Sequence, residues 1–276
     1  MKTIIDELEK EIKTIAIKNI HTDGFYLITV TAAFIKSYEF MKLSANTNEE
    51  SKTYFTLGSL RGICEDFIVL NFLKKLEKED RDATIGAFMS LKFQEALKRQ
   101  HSFFDKERKF QPIIKITPEN QNLIEKHKQD LKDIGQRTGA WRKNEPMPKI
   151  LHMAESLGLK SFYEYFYTLS SETVHFNPRI LLRMGWSEKN DMENFSSYYR
   201  EYGRVYSTLL FLKFFSEFKT ILQLNEKIFE MTAKLDQKLN EILRWPEPVT
   251  FEELNKEAPN NFTRIMYKIA AELYQS

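Results

Sequence analysis

The segment SLRGICEDFIVLNFL, residues 59–73, carries apolar side chains around most of the circumference of a helix. It belongs to a longer stretch, 52–78, in which apolar residues recur at helical spacing. A helix that is hydrophobic on nearly every side must be enclosed by other elements. The pattern therefore predicts a central helix over 52–78, buried inside a helical protein.

Further helices are predicted on both sides of this one. The 276 residues include only 9 glycines and 8 prolines, which is too few for the many tight turns of an all-β chain. The β-branched run LITVTAA would also suit a strand, but its length and flanks favour a buried helix. We expect an all-α bundle of eight to ten helices with a single shared core. The other predicted helices cover 3–20, 25–43, 80–104, 118–134, 149–157, 161–175, 196–243 as one helix or two, and 251–274.

The segment RTGAWRKNEPMPK, residues 137–149, is the least regular part of the chain and is predicted to be a long loop. It is the best candidate for a boundary between two domains. Aromatic residues are dense on both sides of it, which favours one common core. We therefore predict a single helical domain over 1–276, with a possible subdivision near 137–149.

Charge and cysteine content exclude several classes of protein. The chain has 41 Lys and Arg against 39 Asp and Glu, so its overall charge gives no case for nucleic-acid or membrane binding. The single cysteine, Cys64, excludes an intrachain disulfide and a Cys-rich metal site, and it predicts a buried thiol in a reducing compartment. Apolar runs are shorter than the roughly 20 residues of a membrane span. We expect a cytoplasmic protein with no membrane association.

Common catalytic and cofactor motifs do not occur in the sequence. The phosphate-binding and dinucleotide-binding glycine motifs, the nucleophile elbow and H-E-x-x-H are all missing. A di-iron bundle needs two Glu-x-x-His pairs, and only Glu172–His175 has that spacing. We predict neither a metal nor a cofactor.

Two segments place polar residues where the pattern predicts burial. Arg61 and Glu65 are four residues apart and share one face of the central helix. The second segment, YEYFYTLSSETVHFNPR, spans 163–179 and places a polar stripe along one side of a helix. That stripe consists of Tyr163, Tyr167, Ser171 and His175 at four-residue spacing, followed by Asn177 and Arg179.

These two segments suggest a site if their helices pack together. Histidine titrates near neutral pH and arginine is a permanent cation suited to phosphate. A cluster of Arg61, Glu65 and His175 could hold a scissile phosphate and move a proton. The alternative is that these residues form a satisfied polar core, as buried ion pairs with Tyr and His partners do in helical proteins.

The same residues resemble a known family. An R-x-x-x-E pair in an apolar helix, followed about a hundred residues later by Y-x-x-x-Y-x-L-S-S-x-x-x-H-x-N, resembles the bacterial DUF5677 proteins over roughly residues 50–215. That family implies a helical fold and no stated activity. The matching residues are Arg61, Glu65, Tyr163, Tyr167, Leu169, Ser170, Ser171, His175 and Asn177.

A more distant resemblance is to HEPN-type helical ribonucleases, which often act as toxins or phage-defence effectors. Their mark is an arginine four to six residues before a histidine, and no arginine lies there before His175. Only an arginine from elsewhere, such as Arg61, could replace it. Without the motif, a HEPN-like fold implies an interaction or binding module.

Residues 92–143 form a basic stretch, with thirteen Lys or Arg against seven Asp or Glu. Such an excess attracts a phosphate backbone. A solvated surface and a protein interface are the alternatives. Within this stretch, KRQHSFFDKERKF interleaves aromatic and basic residues, and the candidate contacts are Lys106, Arg108 and Lys109.

Two hypotheses for function follow. The first is an effector acting on nucleic acid, such as a metal-independent ribonuclease toxin, with His175 as general acid or base, Arg61 binding phosphate and Glu65 orienting the site. Ser171 and Tyr167 would support these groups. The second is a non-catalytic helical module that binds a protein or a small ligand. RNA, another protein and a second copy of the chain are the expected classes of partner.

Overall fold

The computed structural model describes residues 1–15, 23–46, 50–108, 112, 114, 117–142, 145–178 and 189–248, with 50–56, 118 and 189–198 described by their backbone alone. Within these residues all regular secondary structure is helical, which confirms the predicted all-α bundle. The nine helices in this part of the chain are α1 (Lys2–Ile12), α2 (Phe25–Asn46), α3 (Glu50–Leu73), α4 (Lys78–Glu107), α5 (Pro118–Thr138), α6 (Ile150–Ser156), α7 (Lys160–Val174), α8 (Lys189–Leu222) and α9 (Glu226–Asn240).

The predicted central helix is confirmed, but it ends earlier than expected. α3 stops at Leu73, a four-residue turn follows, and α4 begins at Lys78. Leu76 lies in that turn and is only 7% exposed, so the apolar pattern continues beyond the end of the helix. The start of α4 lies beside α2, because the Asp82 carboxylate accepts a hydrogen bond from the Tyr26 backbone amide at 2.7 Å.

The stretch predicted as one helix or two over 196–243 contains two helices. α8 ends at Leu222, and Gln223 adopts a left-handed conformation with φ of 49°, which a helix cannot continue through. Asn225 then caps α9, because its side chain accepts a hydrogen bond from the Ile228 amide at 3.0 Å. The break therefore arises from a left-handed glutamine and an asparagine cap.

Other predicted boundaries differ by a few residues. The helix expected over 25–43 continues to Asn46, and the helix expected over 52–78 begins at Glu50. The helix expected over 3–20 ends at Ile12, and residues 16–22 lie outside the described part of the chain. The helix predicted over 251–274 and the segment 179–186 also lie outside it.

The core is built around α3, which packs against α2, α6, α7 and α8. Leu60, Cys64 and Ile68 have no exposed surface, and burial raises the pKa of the Cys64 thiol. One hydrophobic cluster includes residues from both sides of the 137–149 segment, which confirms the predicted shared core. A single domain over 1–276 stays a prediction, because 249–276 are not among the described residues. None of the described helices combines the length and apolarity needed to cross a bilayer.

Candidate functional site

The two polar segments of the sequence meet where α7 packs on α3. The Ser170 hydroxyl donates to the Leu57 carbonyl at 3.2 Å, and the ring centroids of Phe67 and Phe162 are 6.4 Å apart. Because later residues of α7 contact earlier residues of α3, the helices are antiparallel. Gly58 allows this close approach, since a Cβ there would stand 2.9 Å from Cγ2 of Val174.

Arg61 and Glu65 form the centre of this interface, as their spacing predicts. Arg61 Nε donates to Glu65 Oε1 at 2.7 Å, and Arg61 Cζ lies 4.3 Å from the centroid of the Tyr167 ring. The hydrogen bond to Glu65 raises the pKa of Arg61. Burial, and then the Glu65 carboxylate, raises the pKa of Tyr163. We call Arg61, Glu65, Tyr163 and Tyr167 the polar cluster; its cation has both a carboxylate and an aromatic face as partners.

His175 is not brought into this cluster. It is an exposed residue just past the end of α7, and its backbone amide donates to the Ser171 carbonyl at 2.9 Å. It lies eight residues beyond Tyr167, which corresponds to about 12 Å along a helix. No contact joins its side chain to Arg61 among the described residues. The expected cluster of Arg61, Glu65 and His175 therefore does not form in this arrangement, and a catalytic role for His175 stays a prediction.

The remaining residues of the α7 stripe are not gathered around one reaction centre. The Ser171 hydroxyl is buried without a hydrogen-bond partner. Asn177 is half-buried beyond the helix end. Arg179 lies outside the described residues. Their predicted binding roles stay untested by this geometry.

The basic stretch is partly neutralised by its own acids. Glu95 pairs with Arg99 at 2.6 Å and with Lys92 at 3.2 Å, and Lys128 pairs with Glu125 at 2.8 Å. Arg137 binds Asp80 with two hydrogen bonds. The candidate phosphate contacts Lys106 and Arg108 are exposed at the end of α4, and Lys109 is not among the described residues.

A cavity of about 760 Å³ is a feature that the sequence did not predict. It lies between α2, α3 and α4, and the segment 147–149 with α6 closes it from another side. Its walls are mainly apolar, from residues such as Ala33, Leu70, Leu73 and Met153. Ligand pockets in proteins commonly measure about 300–1,000 Å³ and combine apolar walls with a few polar groups. The cavity fits that description.

The polar cluster and the cavity share Glu65, which lines the cavity while it bonds Arg61. Next to it, Asp66 also lines the cavity and pairs with Lys36 of α2 at 2.6 Å. Thr84, at another point on the wall, is fully buried, and its hydroxyl has no hydrogen-bond partner. No group of three or more His, Cys, Asp or Glu suited to a metal ion occurs in the described part of the chain.

One sequence signal could have pointed to the cavity. Thr29, Ala32, Ala33 and Lys36 fall at i, i+3, i+4 and i+7 on α2, so they form one face of that helix. Two alanines on a face that turns towards neighbouring helices leave room that larger side chains would fill. The pattern fixes the face, but the opposing wall comes from segments up to about 120 residues away.

Comparison with known proteins is consistent with the motif of the α3 and α7 segments. Residues 56–194, just over half of the chain, match the family of unknown function DUF5677. The chain belongs to this family. The match lies within the range of 50–215 expected from the DUF5677 motif, and nothing in the comparisons supports the more distant HEPN resemblance. No curated protein and no solved structure matches this DUF5677 chain.

Proposed function

We propose that this DUF5677 protein is a non-catalytic helical module that binds a small ligand in the cavity between α2, α3 and α4. The cavity itself carries this proposal, because its volume of about 760 Å³ and its apolar walls suit a small molecule. The polar cluster supports the same view. Its charges are satisfied within the interface, which is how structural polar groups in helical cores behave.

The other hypothesis, a ribonuclease-like toxin or phage-defence component, has less support. It needs a cation and an imidazole at one position, whereas Arg61 contacts Tyr167 and His175 lies about two helical turns further along. Several cations of the basic stretch are already paired with acids. No specific feature of the described residues favours RNA as the ligand.

Uptake of a neutral apolar dye tests the binding proposal. N-phenyl-1-naphthylamine fluoresces strongly when it leaves water, so titration into the purified full-length protein should give a saturable signal at one dye per chain. Ala32 lines the cavity yet is exposed to solvent, so a larger side chain there can block the space without disturbing the core. We expect Ala32→Phe to abolish uptake.

Ala83→Phe is the matched control. Ala83 is an exposed helical alanine on α4 that does not line the cavity. The Ala83→Phe protein should bind dye as the wild type does, and both variants should keep the wild-type Tm within a few degrees. Uptake that never saturates, or that is equal in Ala32→Phe and the wild type, would count against the cavity as a binding site.

A further inference from the structure

The cavity has a polar end and an apolar end. α3 and α4 are joined by a short turn, and Tyr26 links their facing ends, since its amide donates to Asp82 and its hydroxyl donates to the Leu70 carbonyl. Leu73 and Thr84 therefore lie near the turn, while Asp66 and Lys92 lie further along their helices. Between Thr84 and Lys92 the eight residues of α4 span about 12 Å. On α2, Lys36 pairs with Asp66 and so belongs to the end away from the turn. The charged lining residues of all three helices therefore lie away from the turn.

Solvent exposure follows the same axis. The side chains of Lys36, Asp66 and Lys92 are 56%, 38% and 61% exposed. At the other end, Leu73 and Thr84 are 2% and 0% exposed. The cavity therefore opens at its charged end and is sealed at its apolar end. A ligand that fills it enters with its apolar part first and keeps its polar part at the mouth.

The mouth carries an excess of positive charge. Both of its carboxylates are committed, because Glu65 bonds Arg61 and Asp66 bonds Lys36. Lys92 shares Glu95 with Arg99, so one carboxylate there faces two cations. Lys149 also lines the cavity, is exposed to solvent like the other residues of the mouth, and forms no ion pair with any described residue. The lining residues of the mouth and their ion-pair partners together comprise five cations and three carboxylates, an excess of two positive charges. The cations are Lys36, Arg61, Lys92, Arg99 and Lys149, and the carboxylates are Glu65, Asp66 and Glu95.

We infer that the ligand is a single-chain amphiphile with an anionic head. Its hydrocarbon chain lies along α3 and α4 towards Leu73, and its carboxylate or phosphate lies at the mouth near Lys92 and Lys149. Apolar burial supplies the affinity. The excess of positive charge at the mouth selects the sign of the head group. This inference rests on the proposed binding function and specifies its ligand class.

Displacement of the bound neutral dye tests the inference with head groups on a common ten-carbon chain. Decanoate, decyl phosphate, decan-1-ol and decyltrimethylammonium are compared below their micellar concentrations on the full-length protein. The two anions should displace the dye at lower concentrations than the alcohol, and the cation should be the weakest. Tighter binding of decyl phosphate identifies a phosphate head, and tighter binding of decanoate identifies a free carboxylate.

Variants locate the head group. Lys92→Gln and Lys149→Gln should each weaken decanoate about two- to fivefold, as expected for one exposed ion pair, and leave decan-1-ol unchanged. Lys98→Gln removes an exposed lysine of α4 that does not line the cavity and should change neither. Equal displacement by all four compounds, or equal losses for decanoate and decan-1-ol, overturns the anionic head while dye binding stands. Failure of the dye itself to bind overturns the cavity function and this inference together.

Discussion

Replacing Gly135 with alanine tests how the segment after α5 is held against the bundle. Gly135 is a buried helical residue near the end of α5, and the ring of Trp141 folds back onto it. A Cβ at this position would stand 2.5 Å from Cδ1 of Trp141 and would overlap other atoms of the ring. Trp141 is only 8% exposed and lies 6.4 Å from Phe72 between ring centroids, so the ring cannot simply turn aside.

The expected magnitude comes from two opposing terms. Alanine is about 1 kcal/mol more favourable than glycine inside a helix. Displacing a buried tryptophan costs about 3–5 kcal/mol, by analogy with its removal from a core. We therefore expect Gly135→Ala to lower the free energy of unfolding by about 2–4 kcal/mol, as measured by urea denaturation monitored by far-ultraviolet circular dichroism.

Gly62→Ala is the matched control for this prediction. Gly62 is also helical, and the nearest atom to a Cβ there is Lys36 Nζ at 3.9 Å, an ordinary contact distance. This variant should be unchanged or more stable by up to about 1 kcal/mol. In a Trp141→Ala background, Gly135→Ala should lose most of its cost, because the clash is gone. A Gly135→Ala protein as stable as the wild type would refute the packing argument.

Three further predictions concern the ends of helices. The Asp82 carboxylate of α4 accepts a hydrogen bond from the Tyr26 backbone amide at 2.7 Å and so caps the start of α2. Asp82→Ala should lower the free energy of unfolding by about 1 kcal/mol in urea denaturation, while Asp82→Asn should keep most of the cap. Hydrogen bonds from Lys13 and then Lys42 lower the pKa of Glu9 from 4.5 to about 2. Its contribution to stability is therefore complete above pH 4.5 and is lost between pH 4.5 and about 2, so the Tm difference between wild type and Glu9→Gln should vanish in that window. His175→Ala should leave the Tm and dye binding unchanged. If the wild type cleaves RNA or is toxic to its host and this variant does not, the ribonuclease hypothesis is favoured instead.

The central helix and its ion pair could be predicted because both depend on local spacing. A helix that is apolar on most sides has only one stable place, the middle of the bundle. Arg61 and Glu65 are one helical turn apart, so their pairing needs no knowledge of the rest of the fold. Tyr167 faces Arg61 only because α7 is antiparallel to α3, and the four-residue stripe correctly identified the face of α7 on which it lies.

The separation of His175 from the polar cluster can be understood from the same spacing. A stripe of residues at i, i+4, i+8 and i+12 extends about 18 Å along a helix, which is longer than any one side chain can bridge. Tyr167 and His175 are about 12 Å apart along the helix, so a guanidinium that lies over the Tyr167 ring is not thereby beside His175. The cavity could not be found in this way, because its walls come from α2, α3, α4 and the segment 147–149, and only tertiary packing decides whether their side chains fill the space between them.

Glu65 gives the polar cluster a consequence for the cavity. Its carboxylate lines the cavity, where an unpaired negative charge would repel an anionic head group. The hydrogen bond from Arg61 at 2.7 Å offsets that charge, and the Tyr167 ring also contacts the guanidinium. Arg61, Glu65 and Tyr167 therefore need not touch a ligand to influence which ligand binds. On this view the residues by which the chain resembles its family set the charge of the mouth, and the apolar walls set the length and shape of the chain that enters.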